Sequence, residues 1–175
     1  SESDLKGVDE FTTILLSEGL SNRGDFDDAL ARLIEYYQTH PLTVNQDRFR
    51  TKIQRNLASK MKGLVEGGDF IKVLETNEKY SQTWLKNASR IDVDYFLGKA
   101  FENAGAYAEA GRIYSTVAMA RQKLSRATEE EVERKFHEYL PGLSTLQLRK
   151  AAMMVEERKY SEGLQSLKDI GKGSD

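Results

Sequence analysis

Cysteine is absent from the 175 residues, which removes disulfides, thiolate metal ligands and cysteine nucleophiles without fixing a redox compartment. Proline is almost absent, with Pro41 and Pro141 the two copies. A β-sandwich would use more turn residues and more β-branched runs, so this scarcity favours helices. Twenty-six basic against twenty-eight acidic residues leave a net charge of −2, so there is no field of one sign to draw nucleic acid or an anionic membrane. No apolar run approaches the roughly 18 residues that cross a bilayer, and nothing reads as a signal peptide. The chain opens at Ser1 rather than Met, as a processed or trimmed protein would. The compartment therefore stays open: cytoplasmic by default, periplasmic or secreted if a targeting segment was removed.

What is present is helix-friendly. Lys, Glu, Ala, Leu, Arg and Gln are abundant, and apolar residues make up 39% of the chain, enough for one core or for a short stack of helix pairs. Four segments share a turn-and-aromatic cadence: 23–29 around Phe26, 67–73 around Phe70, 104–110 around Tyr107 and 158–163 around Tyr160. In each, the aromatic is followed three positions later by a small or compact residue, and helical periodicity flanks both sides. The pattern predicts an αα-hairpin. A helix ends near a Gly or polar residue, the aromatic opens the second helix, and the small residue lets the two approach closely. The clearest copy places Leu97, Phe101 and Ala104 on one stripe and Ala110, Ile113, Tyr114 and Val117 on the facing one.

Leu97, Gly98, Phe101, Ala110 and Tyr114 stand at the marker positions of a tetratricopeptide repeat, and this segment resembles that family. Asp94 occupies the place of the family's Trp. Residues 13–41 resemble it almost as well, through Leu20, Gly24, Phe26, Ala29 and Leu33, with Pro41 where the family often ends its second helix. The other two copies are weaker: Leu64, Gly68 and Phe70 fit in one, and Ala151, Tyr160, Gly163, Leu167 and Ile170 in the other, with Arg158 in place of the turn glycine. The resemblance implies an all-α fold, a right-handed superhelical stack of antiparallel helix pairs, with approximate repeats at 9–41, 53–85, 91–124 and 144–171. Spacings of 44, 37 and 53 residues between successive aromatic markers exceed the family's period of about 34, so extra helix must be inserted. One inserted helix is expected over 128–140, opened by a Thr128 and Glu131 capping box and closed by Pro141 and Gly142. A second capping box, Ser144 with Gln147, is expected to start the next helix. The total is about nine helices in one domain.

No constellation of catalytic or metal-ligating residues emerges, so no enzyme activity and no cofactor or metal is expected. His40 precedes Pro41 at an expected helix end, where a basic residue suits the helix dipole, and His137 falls on the polar side of an amphipathic helix. The run Glu129, Glu130, Glu131 reads as a helix first turn, since consecutive positions point apart and cannot converge on one ion. The basic cluster Arg48, Arg50, Lys52, Arg55, Lys60 and Lys62 makes one helix face cationic. A solvated face is the default and an acidic partner segment the alternative; without interleaved aromatics, nucleic acid is disfavoured.

The resemblance further implies that the first helix of each pair lines a concave surface holding an extended peptide or helix of another protein. Carried over residue by residue, the groove positions are Phe11, Ile14 and Glu18; then Arg55, Ala58 and Lys62; then Asp92, Tyr95, Lys99 and Asn103; and Leu148 with Ala152 in the last pair. The family's chaperone-binding Lys and Asn set is not reproduced. The expected function is thus a protein-interaction module or adaptor. The alternative is an assembly subunit that forms homo-oligomers through its helical ends.

Overall fold

The computed structural model describes residues 2–40, 46–88, 90–124 and 140–172, with side chains from Val8 to Ile170 within those ranges. Among the described residues the chain forms eight α-helices and no strand. They are α1 (Glu2–Asn22), α2 (Phe26–Thr39), α3 (Gln46–Glu66), α4 (Phe70–Tyr80), α5 (Ile91–Asn103), α6 (Tyr107–Leu124), α7 (Leu143–Glu156) and α8 (Tyr160–Lys172). The expected helix over 128–140 lies outside the described residues except for Leu140, which is buried. Two helices run longer than their expected repeats, since α1 begins at Glu2 and α3 at Gln46.

Four hairpins arise at the four cadence segments through one repeated backbone device. At each turn a residue takes the left-handed conformation: Gly24 (φ 86), Gly68 (φ 77), Gly105 (φ 76) and Arg158 (φ 63). The next amide then reaches back five residues, from Asp25 to Leu20 at 3.0 Å, Asp69 to Leu64 at 2.8 Å, Ala106 to Phe101 at 2.9 Å and Lys159 to Met154 at 2.8 Å. These bonds satisfy carbonyls that a helix end would otherwise leave bare, and they turn the chain within three residues. The aromatic after each turn begins the second helix. The small residue three positions on, Ala29, Val73, Ala110 or Gly163, is buried against the first. At Gly163 the approach is close enough that a Cβ would stand 3.0 Å from Val155 Cγ2.

Packing runs mainly between sequence neighbours: α1 on α2, α2 on α3, α3 on α4, and so on to α7 on α8, with α5 also lying on α3. The interior is correspondingly divided. One cluster joins α1, α2 and α3 through Ile14, Leu30, Leu33, Phe49, Ile53 and Leu57. A second joins α3, α4 and α5 through Ala58, Met61, Val73, Val93, Phe96 and Ala100. A third joins α5, α6 and α7 around Tyr114, Val117, Leu146 and Met153. On α3 the buried Phe49, Ile53, Leu57 and Met61 recur every four residues, the spacing that keeps them on one side of the helix.

At the start of α7 the expected capping box does not form. The helix opens two residues earlier, with Gly142 as N-cap and no side-chain cap, so Ser144 falls inside the first turn. At the end of α2, His40 is the C-cap, and its ring stacks on Tyr36 at 4.1 Å, which in turn stacks on Phe49 at 4.7 Å. His40 thus serves packing at a helix end.

Candidate functional site

A polar cleft of about 460 Å³ opens where α1, the start of α2 and α3 meet. Its floor is set by α3, whose residues Lys52, Arg55, Asn56, Ser59 and Lys62 recur at helical spacing along one face. From the other side α1 presents Glu18, Ser21 and Asn22, and Phe26 closes one end. Cross-links hold the walls in register. Lys52 Nζ donates to Glu18 Oε1, Ser21 Oγ donates to Asn56 Oδ1, and Asn56 Nδ2 donates to the Lys52 carbonyl at 3.0 Å. The rim is open and mixed in charge, with Glu66 joining Glu18 on the acidic side against Lys52, Arg55 and Lys62.

Three of the residues expected to line a groove meet here: Glu18, Arg55 and Lys62, each half-buried. Phe11 lies on α1 at 56% exposure. Further along, Tyr95 packs half-buried against Phe96 and Tyr114, with ring centroids 5.7 and 6.2 Å away. Lys99 is held by Glu102 at 3.4 Å, and Asn103 is exposed at the end of α5. Leu148 and Ala152 are exposed on α7.

Three other expected groove residues are withdrawn from the surface, which corrects their assignment. Ile14 is 2% exposed because α1 rotates it into the cluster with Leu30 and Leu33. Ala58 is fully buried where α3 meets α4 and α5. Asp92 is fully buried in a pair with Arg90, whose Nε donates to Asp92 Oδ1 at 3.0 Å, and the same oxygen accepts the Val93 amide at 2.9 Å. An acid in the first turn of α5 is favoured by the exposed amides there, so Asp92 acts as a helix-start anchor.

Two participants escaped the sequence reading. Arg149 on α7 and Glu102 on α5 form an ion pair beside Lys99, and the Tyr114 hydroxyl donates to Glu102 Oε2. Burial alone would raise the Glu102 carboxyl, but the Tyr114 hydroxyl and the Lys99 and Arg149 cations outweigh it and hold the group below its usual value. Burial, followed by the Glu102 carboxylate, pushes the Tyr114 phenol up. No local signal joins residues 47 positions apart. Asp94 is pushed up to about 6, first by burial and then by the charge of Asp92. It is not among the residues of the cleft.

The basic face of α3 has internal partners. Besides Lys52 with Glu18, Lys60 pairs with Asp27, and Arg50 donates to the Thr83 carbonyl at 3.3 Å. Two of these cations are thus paired with acids of the first hairpin of the same chain and are not simply solvated. Among the described residues no group of three or more His, Asp or Glu side chains is placed to hold a metal ion, and no helix is long and apolar enough to cross a membrane.

No family model, curated protein or solved structure matches the chain. Its functional reading therefore rests on its own geometry.

Proposed function

We propose that the chain is a non-enzymatic interaction module, a divergent tetratricopeptide-like stack that receives an extended peptide or a helix of another protein. The observation that carries this reading is the open cleft between the first helices of the first two hairpins, where Glu18, Arg55 and Lys62 converge over about 460 Å³. A surface of this kind suits a peptide, because its mixed charges can fix register and orientation. Wall cross-links such as Ser21 to Asn56 hold the site in shape before a partner arrives, which reduces the ordering cost of binding. Tyr95, half-buried between the second and third core clusters, would be the aromatic contact further along the same run of first helices.

The test compares partners captured by the wild-type chain with those captured by Arg55→Ala plus Lys62→Ala, and by Tyr95→Ala plus Lys99→Ala. A purified partner that uses the cleft should lose about tenfold or more in affinity for the first variant, a hot-spot-sized effect. If both variants retain every partner at wild-type affinity, the groove reading fails.

A further inference from the structure

Exposed large hydrophobic side chains are concentrated at the two ends of the stack. Among the described residues, those outside the first and last hairpins are the isolated Ile71 and Met119. On α1, Val8 (63% exposed), Phe11, Leu15 and Leu16 recur at helical spacing. Gly19 continues their line with open space above it, since a Cβ there would meet nothing within 4 Å. A shallow, mainly apolar hollow of about 450 Å³, lined by Leu15, Leu16, Gly19 and Leu20 with Arg23 and Arg32 beside them, adjoins this stripe. At the other end Leu148, Ala152 and Val155 form a stripe at i, i+4 and i+7 on α7. Tyr160 (62% exposed), Leu164 and Leu167 form another with the same spacing on α8.

One end therefore offers a single apolar helix face and the other a pair of apolar stripes. The chain itself shows how such faces fit together, because α5 lies on both helices of the preceding hairpin, α3 and α4, and buries Val93, Phe96 and Ala100 there. The two ends also differ in charge. Residues 2–39 carry nine acids against three bases, and residues 143–172 carry six bases against four acids. With Glu18 and Asp27 committed to Lys52 and Lys60 of α3, and Arg149 to Glu102 of α5, seven acids remain against three bases in the first hairpin and five bases against four acids in the last. Two acidic first hairpins would repel each other, whereas a first and a last hairpin would not, which favours a head-to-tail contact over a symmetric pairing of first hairpins.

We infer that the chain associates with further copies of itself head to tail, the apolar face of α1 seating on the outer face of the α7 and α8 hairpin of the next copy. Such a contact does not close on itself, so it builds open chains of molecules. It uses the ends of the stack and leaves the polar cleft free.

Sedimentation equilibrium over a concentration series, up to about 300 µM, reads the outcome. The wild-type mass should rise with concentration past that of a dimer. Leu15→Glu and Leu164→Glu should each remain monomeric alone. Mixed, they should give a one-to-one dimer and stop, because each retains the face that the other has lost. Both sites are exposed, so circular dichroism should show unchanged helix content; Phe11→Glu with Leu167→Glu provides a second pair if either variant unfolds. A wild-type chain that stays monomeric overturns the inference, as does a mixture that fails to dimerise. An association abolished by Leu15→Glu and untouched by Leu164→Glu also overturns it, since that pattern marks a symmetric contact.

Discussion

Arg149 on α7 directs one guanidinium nitrogen at both carboxylate oxygens of Glu102 on α5, at 3.1 and 3.0 Å, and so ties the fourth hairpin to the third across 47 residues. The same carboxylate accepts from the Tyr114 hydroxyl of α6 and from Lys99. One acid thus gathers three helices.

Replacing that acid should expose how much the junction depends on it. Glu102→Gln keeps the size but removes the charge, leaving Arg149 without its counter-ion at a site where its side chain is 31% exposed. Urea denaturation should show a loss of about 1–2 kcal/mol, less than a fully buried pair would give because water still reaches the site. In the wild type the Glu102 carboxyl lies below its usual value, so its contribution is present above the unfolded value of 4.5 and is lost as pH falls through the folded one. A Glu102→Gln variant as stable as the wild type at pH 7 would show that the network does not hold the hairpins together.

The last hairpin turns on a residue unsuited to its place. Arg158 holds φ at 63, where the other three turns have glycine, and a side chain in the left-handed region costs about 1 kcal/mol. Arg158→Gly should therefore raise stability by roughly that amount and leave the helix content unchanged, while Gly68→Ala should lower it by a similar amount. Thermal melting of the two variants beside the wild type checks both signs at once.

A carboxyl at the helix start of α5 titrates in the opposite sense to Glu102. Asp94 is pushed up to about 6 from 3.8, so between those values the folded chain holds a proton that the unfolded chain has released. Stability accordingly falls as pH rises through about 6 and is recovered as pH drops toward 4. Asp94→Asn should remove this dependence and stabilise the chain at pH 7 by on the order of 1–2 kcal/mol. Chemical denaturation at pH 4.5 and 7.5 reads the difference. Equal pH slopes for variant and wild type would place the effect elsewhere.

The four turns were legible because their cause is local. Gly24, Gly68 and Gly105 supply left-handed backbone, Phe26, Phe70 and Tyr107 begin the following helices, and even Arg158 was placed correctly by Tyr160 and Gly163 beside it. Positions within the groove were less legible, because exposure on a helix depends on how a neighbouring helix turns it. Ile14 and Glu18 are four residues apart on α1, yet one is sealed by Leu30 and Leu33 while the other reaches the cleft. Asp92 reads as a surface acid until Arg90 is seen folded over it. At Ser144 two competing starts two residues apart were available, and the backbone of Gly142 took precedence over a side-chain cap. The Arg149 and Glu102 pair has no sequence signature, since it exists only once the third and fourth hairpins are stacked.

The interior comes as three linked clusters, and the middle one, around Met61, Val73 and Phe96, is shared by the hairpins on either side. Each hairpin therefore packs mainly on its immediate neighbours. Change at one end need not be negotiated with the other. The first hairpin can acquire new side chains along its cleft, or the last can be rebuilt around a different turn, while the central link holds the register between them. In such a molecule the two end hairpins can be altered separately, with the middle cluster keeping them joined.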